Sequence, residues 1–368
     1  MLNGTLSPAF AQNNVPVVLA ANNLFAPYTG VFIRSLLDHA NEKNNYDIII
    51  LNRDISEENE RLLKSLAAGH ANVSIRFYDP SPLFVSFNYV DEEHNWPLEI
   101  FYKITAPHIL KYSGRIVVVD VDTLLRTDIA RLMDEDLESC CVGGVSDAAG
   151  IYISCLLNKT LGPTKIRARD YWQNICGFGD WKNWGDYKDY VNGGLLLFDC
   201  NRYVREVAVE TILNTVQQGS FAFPEQDALQ ILMKGKIKPL DLAWNVLLPS
   251  RAGLKDAYNR YSKIYDEIYD EMFNENAVFQ RAHEGPYLLH WAARPKPWVC
   301  PDVPWGSEWW QTALRTPFVG HIIARMIDEL GKRRQYYIRR YGKEGVDVWD
   351  PTPKGIDRTK KFNPHLHG

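Results

Sequence analysis

No stretch of this chain approaches the run of about 20 apolar residues that a membrane-spanning helix needs, so a bilayer-crossing protein is not expected. No single sign of charge dominates. Basic residues number 41 against 45 acidic ones, a formal net charge of −4, and that balance argues against a broadly basic nucleic-acid surface. The six cysteines (Cys140, Cys141, Cys155, Cys176, Cys200 and Cys300) form no Cys-x-x-Cys pair and no compact metal spacing. They read as scattered thiols of a reducing compartment. The start of the chain lacks the basic residues and continuous apolar core of a signal peptide, although Ala9-Phe10-Ala11 has the look of a cleavage site. Internal repeats and low-complexity blocks are missing too.

What is present is alternation. Pro16 to Ala21 reads as a strand, and Val31 to Leu37 carries helical apolar spacing. Tyr46 to Leu51 gives a second strand, Ser56 to about Ala68 a helix opened by a capping-box-like pattern, and Asn72 to Tyr78 a third strand. Strands alternating with helices predict a largely parallel, doubly wound α/β sheet covered on both faces, within the 368 residues of one large domain or two smaller ones. Leu98 to Tyr112 reads as a helix, with Pro107 disturbing its middle.

The chain is organised around Ile116-Val117-Val118-Val119-Asp120-Val121-Asp122. An apolar β-branched run ending in two carboxylates reads as a buried strand whose tip emerges at a sheet edge, where α/β folds place their ligands. Asp120 and Asp122 are then spaced to share one cation, or else merely form a turn. Asp147 follows another predicted strand, as a ligand contact or a loop cap. Aromatic residues gather between Tyr171 and Tyr190; most read as a satellite core, with sugar-face stacking as the sharper alternative. Val191-Asn192-Gly193-Gly194 is a glycine-containing turn feeding a strand, for close backbone approach or a bulge. Glu225-Gln226-Asp227 opens a helix, and Asp227 is expected to be a favourable charge at its N-terminus. His290 ends an apolar strand with Lys296 six residues on, a pairing of imidazole and ammonium that suits a phosphate-bearing crevice. Near the end, Lys332 to Tyr341 mixes basic and aromatic residues, as in a membrane-surface helix or a solvated helix face.

Together these motifs resemble glycosyltransferase family 8, the retaining transferases with the GT-A, Rossmann-like nucleotide-sugar fold. The resemblance runs from about Val15 to Phe318 and keeps the family's order. Ile116 to Asp128 is similar to its strand, Asp-x-Asp and acidic turn, and Val191 to Gly194 to its Asn-x-Gly turn. Glu225 to Asp227 is similar to its acid-Gln-Asp segment, and His290 to Trp298 to its His-x-x-Gly-x-x-Lys-Pro-Trp signature. Trp309-Trp310 and Thr316-Pro317-Phe318 resemble an ending common among bacterial members.

The resemblance implies a UDP-sugar donor (UDP-galactose or UDP-glucose), a divalent cation such as Mn²⁺, and a glycan, lipid-linked or protein-linked acceptor, with no nucleic-acid partner. It implies Asp120, Asp122 and His290 as metal ligands and Ala20, Asn22, Lys103, Val121 and Lys296 as nucleotide contacts. Asp147, Asn192, Glu225 and Gln226 are implied around the donor sugar, with Glu225 and Gln226 as the catalytic pair. The expected organisation is a polar leader over 1–14, a catalytic GT-A domain over 15–300, a helical appendage over 301–345 and a tail over 346–368. A cytoplasmic location follows, with peripheral contact at the inner face of the membrane through the appendage.

Three positions depart from the family pattern. Asn22 stands where an acid is usual, Lys103 where an Arg is usual, and Ala293 replaces the signature glycine. They motivate a competing expectation, a nucleotide-binding or scaffold protein of the same fold with little or no turnover. A nucleotidyltransferase is disfavoured, because no glycine-rich phosphate loop follows the first strand.

Overall fold

A computed structural model describes residues 6–85, 97–110, 112, 114–161, 164–219, 221–248 and 254–341. The tail expected over 346–368 and the first five residues of the leader lie outside them. The first half is the predicted alternation: β1 (Asn14–Ala20), α1 (Ala26–His39), β2 (Asn45–Leu51), α2 (Glu57–Ser65) and β3 (Val73–Tyr78). In α2 the Ser56 hydroxyl accepts from the Asn59 amide, and Glu57, Glu58 and Glu60 fill the first turn, as helix N-termini favour. The helix ends at Ser65, short of the expected Ala68, because a turn leads on to Gly69 in the left-handed region. α3 (Glu99–Ile109) likewise stops before Tyr112, and Pro107 sits in its last turn, where Leu110 closes on Ala106.

Next come β4 (Arg115–Val119), β5 (Thr123–Leu125), β6 (Val142–Ser146) and α4 (Ala148–Leu156). A small antiparallel pair, β7 (Thr160–Leu161) and β8 (Ile166–Arg167), leads to α5 (Ala168–Asn174) and the long β9 (Val191–Asp199). The remaining elements are α6 (Cys200–Glu206), α7 (Val209–Gln218), α8 (Pro224–Leu232), β10 (Ile237–Pro239), β11 (Val246–Leu247), α9 (Leu254–Phe273), α10 (Val278–Glu284), β12 (Leu288–His290), α11 (Gly306–Ala313) and α12 (Val319–Tyr341).

The main sheet has the order β10-β6-β9-β4-β1-β2-β3. Every pair in it is parallel except those of β9, which runs antiparallel to both β4 and β6. The central strands β1, β4 and β9 are largely apolar and buried because both faces are covered, whereas the edge strands β3 and β10 carry Arg76 and Lys238. Val17, Leu19, Val117 and Val119 join one core, while Val18, Ile116, Val118 and Leu196 join the other, as the two-residue period of a strand requires.

A second sheet, β11-β12-β5, stands beyond the tip of β4. α11 packs against α1: Trp309 is fully buried, and the Phe318 ring beyond it fills the space over Gly30. The aromatic stretch before β9 forms the expected core, with Tyr171, Trp172, Phe178, Tyr187 and Tyr190 buried. Among the described residues no helix is long and apolar enough to cross a membrane.

Candidate active site

β4 stops at Val119, and the chain turns through Asp120, Val121 and Asp122 before β5 begins. β12 pairs antiparallel with β5 so that His290 stands opposite Thr123, and the Trp291 amide donates to the Asp122 carbonyl at 3.1 Å. Strand pairing therefore delivers an imidazole from 168 residues downstream to the Asp-x-Asp turn. His290 Nε2 lies 3.2 Å from Asp122 Oδ1 and 4.0 Å from Asp120 Oδ2. One ligand atom from each of the three residues falls within 4.8 Å of the others.

The outer oxygens of both aspartates are held by lysines. Lys296 donates to Asp122 Oδ2 at 2.6 Å and to the Ala292 carbonyl at 3.0 Å. Lys103 is buried and donates to Asp120 Oδ1 at 2.8 Å, to Glu225 Oε1 at 2.9 Å and to the Gly193 carbonyl at 3.2 Å. Burial alone would depress the Lys103 ammonium, but Asp120 and Glu225 hold its pKa well above the ordinary lysine value. Burial together with the neighbouring Asp122 and Glu225 charges pushes the Asp120 carboxyl up against the pull of Lys103. Desolvation pushes the Asp122 carboxyl up too, yet the Lys296 ammonium beside it holds it well below the usual carboxylate range.

The residues suit a divalent cation. The Gly194 amide donates to Asn192 Oδ1 at 2.9 Å, so the Asn245 Nδ2 that meets the same oxygen at 2.9 Å is a donor too. Asn245 Oδ1 then faces His290 Nδ1 at 2.9 Å, which must carry the proton. The lone pair of Nε2 is left directed at the two carboxylates. Two carboxylates and one imidazole nitrogen make a mixed donor set, unlike the all-oxygen surroundings preferred by Mg²⁺ or Ca²⁺.

Asn192, Glu225 and Gln226 converge on the same place. Gln226 Oε1 accepts from the Gly193 amide at 2.9 Å and from Asn192 Nδ2 at 3.1 Å. Ala20 ends β1, one residue past the Leu19 that pairs with Val119, and so lies beside Asp120. Asn22 stands in the turn that follows, its Oδ1 accepting from the Phe25 amide at 3.2 Å, and Val121 is buried between the aspartates. Asp147 is not one of the three residues whose ligand atoms meet. It precedes α4 without capping it and lines a cavity of about 330 Å³, walled by Tyr265, Tyr269, Phe279, Asn245, Ala292 and Ala293. Burial pushes its pKa up to about 7.

Asp227 does more than the sequence led us to expect. It stands in the first turn of α8 as expected and accepts from the Phe223 amide at 2.8 Å, but it is also fully buried and accepts from Tyr171 at 2.5 Å and Tyr190 at 2.8 Å, which makes it the centre of a polar network. Burial outweighs those hydrogen bonds and lifts its carboxyl to about 6. Asn245 was also not singled out by sequence. The only signal for it is an amide inside the otherwise apolar run from Leu242 to Leu248.

The model of the family "Glycosyl transferase family 8" matches residues 16–300. The chain belongs to glycosyltransferase family 8. A Haemophilus influenzae protein that carries only a provisional glycosyltransferase name is 21% identical over 238 residues, covering 62% of either chain. The lipopolysaccharide 1,2-glucosyltransferase of Escherichia coli is 20% identical over 207 residues, 55% of this chain and 50% of that one. The chain thus spans half to three-fifths of the length of these relatives. Among solved structures, the bifunctional glycosyltransferase WbbM superposes with a TM-score of 0.74 at 22% identity, over 88% of this chain and 53% of that one. The galactosyltransferase LgtC, solved with donor and acceptor sugar analogues, gives 0.61 at 18% identity, over 82% of this chain and 96% of that one. These likenesses confirm the predicted fold, a mostly parallel α/β sheet of the GT-A kind.

Proposed function

We propose that this family 8 member is a retaining hexosyltransferase that moves galactose or glucose from a UDP-sugar to a glycan, glycolipid or glycoprotein acceptor. The observation that carries the reading is the meeting of Asp120, Asp122 and His290 Nε2 at the tip of β4, backed by Lys103 and Lys296. Departure of a nucleoside diphosphate is slow unless the charge developing on its oxygens is stabilised. A cation held by the three ligands supplies that stabilisation as a Lewis acid. Lys296 adds a second positive group on the same side, and Lys103 keeps Asp120 and Glu225 in register beneath it.

The nucleotide falls to Ala20, Asn22 and Val121, around the tips of β1 and β4, and to Lys103 and Lys296. Asp147, Asn192 and Glu225 are assigned to donor hydroxyls. Gln226 flanks the reacting carbon, where an amide is too weak a nucleophile for covalent capture and instead stabilises an oxocarbenium-like centre. We assign the catalytic unit to 15–300, working at the cytoplasmic face of the membrane, with a peripheral contact through α12, on which Ile323 and Ile327 are exposed.

The test is UDP release from a panel of UDP-sugars with purified protein, with Mn²⁺ or with chelator. Metal-dependent release from one sugar identifies the donor. Tight UDP binding without release from any donor, even after acceptor glycans are added, would replace the transferase by the nucleotide-binding scaffold.

A further inference from the structure

A directional chain of hydrogen bonds starts at His290 and ends on a buried carboxylate with no place in the chemistry above. His290 Nδ1 meets Asn245, Asn245 donates to Asn192, and Asn192 donates to Gln226 Oε1. Gln226 Nε2 then donates to the Tyr190 hydroxyl at 3.2 Å, and Tyr190 donates to Asp227 Oδ1 at 2.8 Å. Each direction is forced. An ionised carboxylate only accepts, so Tyr190 gives its proton to Asp227 and its oxygen is left to receive the Gln226 amide nitrogen. Tyr171 behaves the same way on the other oxygen, donating to Asp227 and accepting from the Ala222 amide at 2.8 Å.

The far end of the chain agrees. The Gly193 and Gly194 amides are fixed donors of β9, and they turn Gln226 Oε1 and Asn192 Oδ1 toward themselves. An amide flip anywhere along the path would set two donors or two acceptors face to face. Such conflicts are costly in a buried network, whereas a fully satisfied one rigidifies its members.

We propose that Tyr190 and Asp227 are positioning residues that fix which end of the Gln226 carboxamide faces the reacting sugar, within the same polar unit that sets the proton position on His290. The proposal rests on the transferase reading for its catalytic meaning, but its geometry can be tested without turnover. Tyr190→Phe removes one hydroxyl and leaves the ring packing in place.

In the folded variant, kcat for UDP release falls on the order of tenfold while the donor KM stays within about twofold, as loss of a transition-state interaction predicts. In a Gln226→Ala background the same substitution costs nothing further, because the residue it positions is gone. The side-chain amide ¹⁵N resonances of Gln226, identified by their loss in Gln226→Ala, shift in Tyr190→Phe. If Tyr190→Phe does not fold, Asn192→Asp puts an acceptor against Gln226 Oε1 and must move the same resonances from the other side.

Unmoved Gln226 resonances in the variant that folds overturn the proposal. So does an equal cost of Tyr190→Phe with and without Gln226, the mark of a merely structural tyrosine. Absence of turnover in the parent protein would sink the transferase reading and leave the resonance experiment decisive.

Discussion

Gly194 packs so closely on the His290 imidazole that a methyl carbon built on it would overlap ring atoms Cε1 and Nδ1. The glycine is needed for the space it leaves. Gly194→Ala forces the ring away from Asn245 and from the aspartates, in a core where overpacking typically costs about 1–3 kcal/mol. We expect Mn²⁺ affinity, measured by titration calorimetry with UDP present, to fall roughly 10- to 100-fold, the usual range when the support of a metal ligand is lost. Unchanged affinity would show that His290 is not a ligand.

Asp122→Asn removes the carboxylate shared by Lys296 and His290. Mn²⁺-dependent UDP release should drop by about 100-fold or more, in line with loss of a main electrostatic contributor. Turnover that continues at the parent rate would remove the metal hypothesis.

Lys103→Met leaves Asp120 and Glu225 close together and without their shared cation. Removing one partner of a buried ion pair typically costs about 3–5 kcal/mol. Urea unfolding followed by tryptophan fluorescence should show a loss of that order. A loss below about 1 kcal/mol, the range of exposed pairs, would mean that the lysine does not hold the two carboxylates together.

Asp147 gives the pH dependence a sign. Its carboxyl is raised from 3.8 to about 7 in the folded chain, so the neutral form is the one the fold favours. The contribution is fully present below the unfolded value and is lost as pH rises through the folded one. Between pH 4 and pH 7 the parent protein should therefore lose stability relative to Asp147→Asn. Urea midpoints of the two proteins that run parallel across this window would show that Asp147 ionises freely.

For α12, a chain ended at Gly331 should bind anionic vesicles more weakly than the full chain in a sedimentation assay at low salt, where basic segments act most strongly. Equal binding would dissociate the helix from any membrane role.

The sequence made Asp120 and Asp122 legible because they sit where an apolar β-branched run gives way to carboxylates, a local signal of a strand tip, and His290 because it ends the short apolar run Tyr287-Leu288-Leu289. Lys296 was legible through its spacing from His290. Asn245, Tyr190 and Asp227 were not, because their meaning comes from partners on other elements: Asn245 meets Asn192 across 53 positions, and Tyr190 meets Asp227 across 37. Asp227 was under-read for a physical reason. An acid in the first turn of α8 satisfies the helix-dipole rule wherever its side chain points, and only the packing of Tyr171 and Tyr190 turns it inward. The strand directions were partly hidden too, since nothing local in Leu195 to Phe198 distinguishes an antiparallel strand from its parallel neighbours.

The reversed direction of β9 divides the molecule into two unequal rims. Its first residues reach the tip of β4, while its last, Asp199, pairs with Arg115 at the opposite end. The chain therefore leaves β9 on the rim away from the aspartates and enters α6 there, with the Cys200 amide bonded to the Gly114 carbonyl. An engineer seeking a place for a fluorophore or an affinity handle has it in the exposed face of α6 around Arg205 and Glu206, on the quiet side of the sheet.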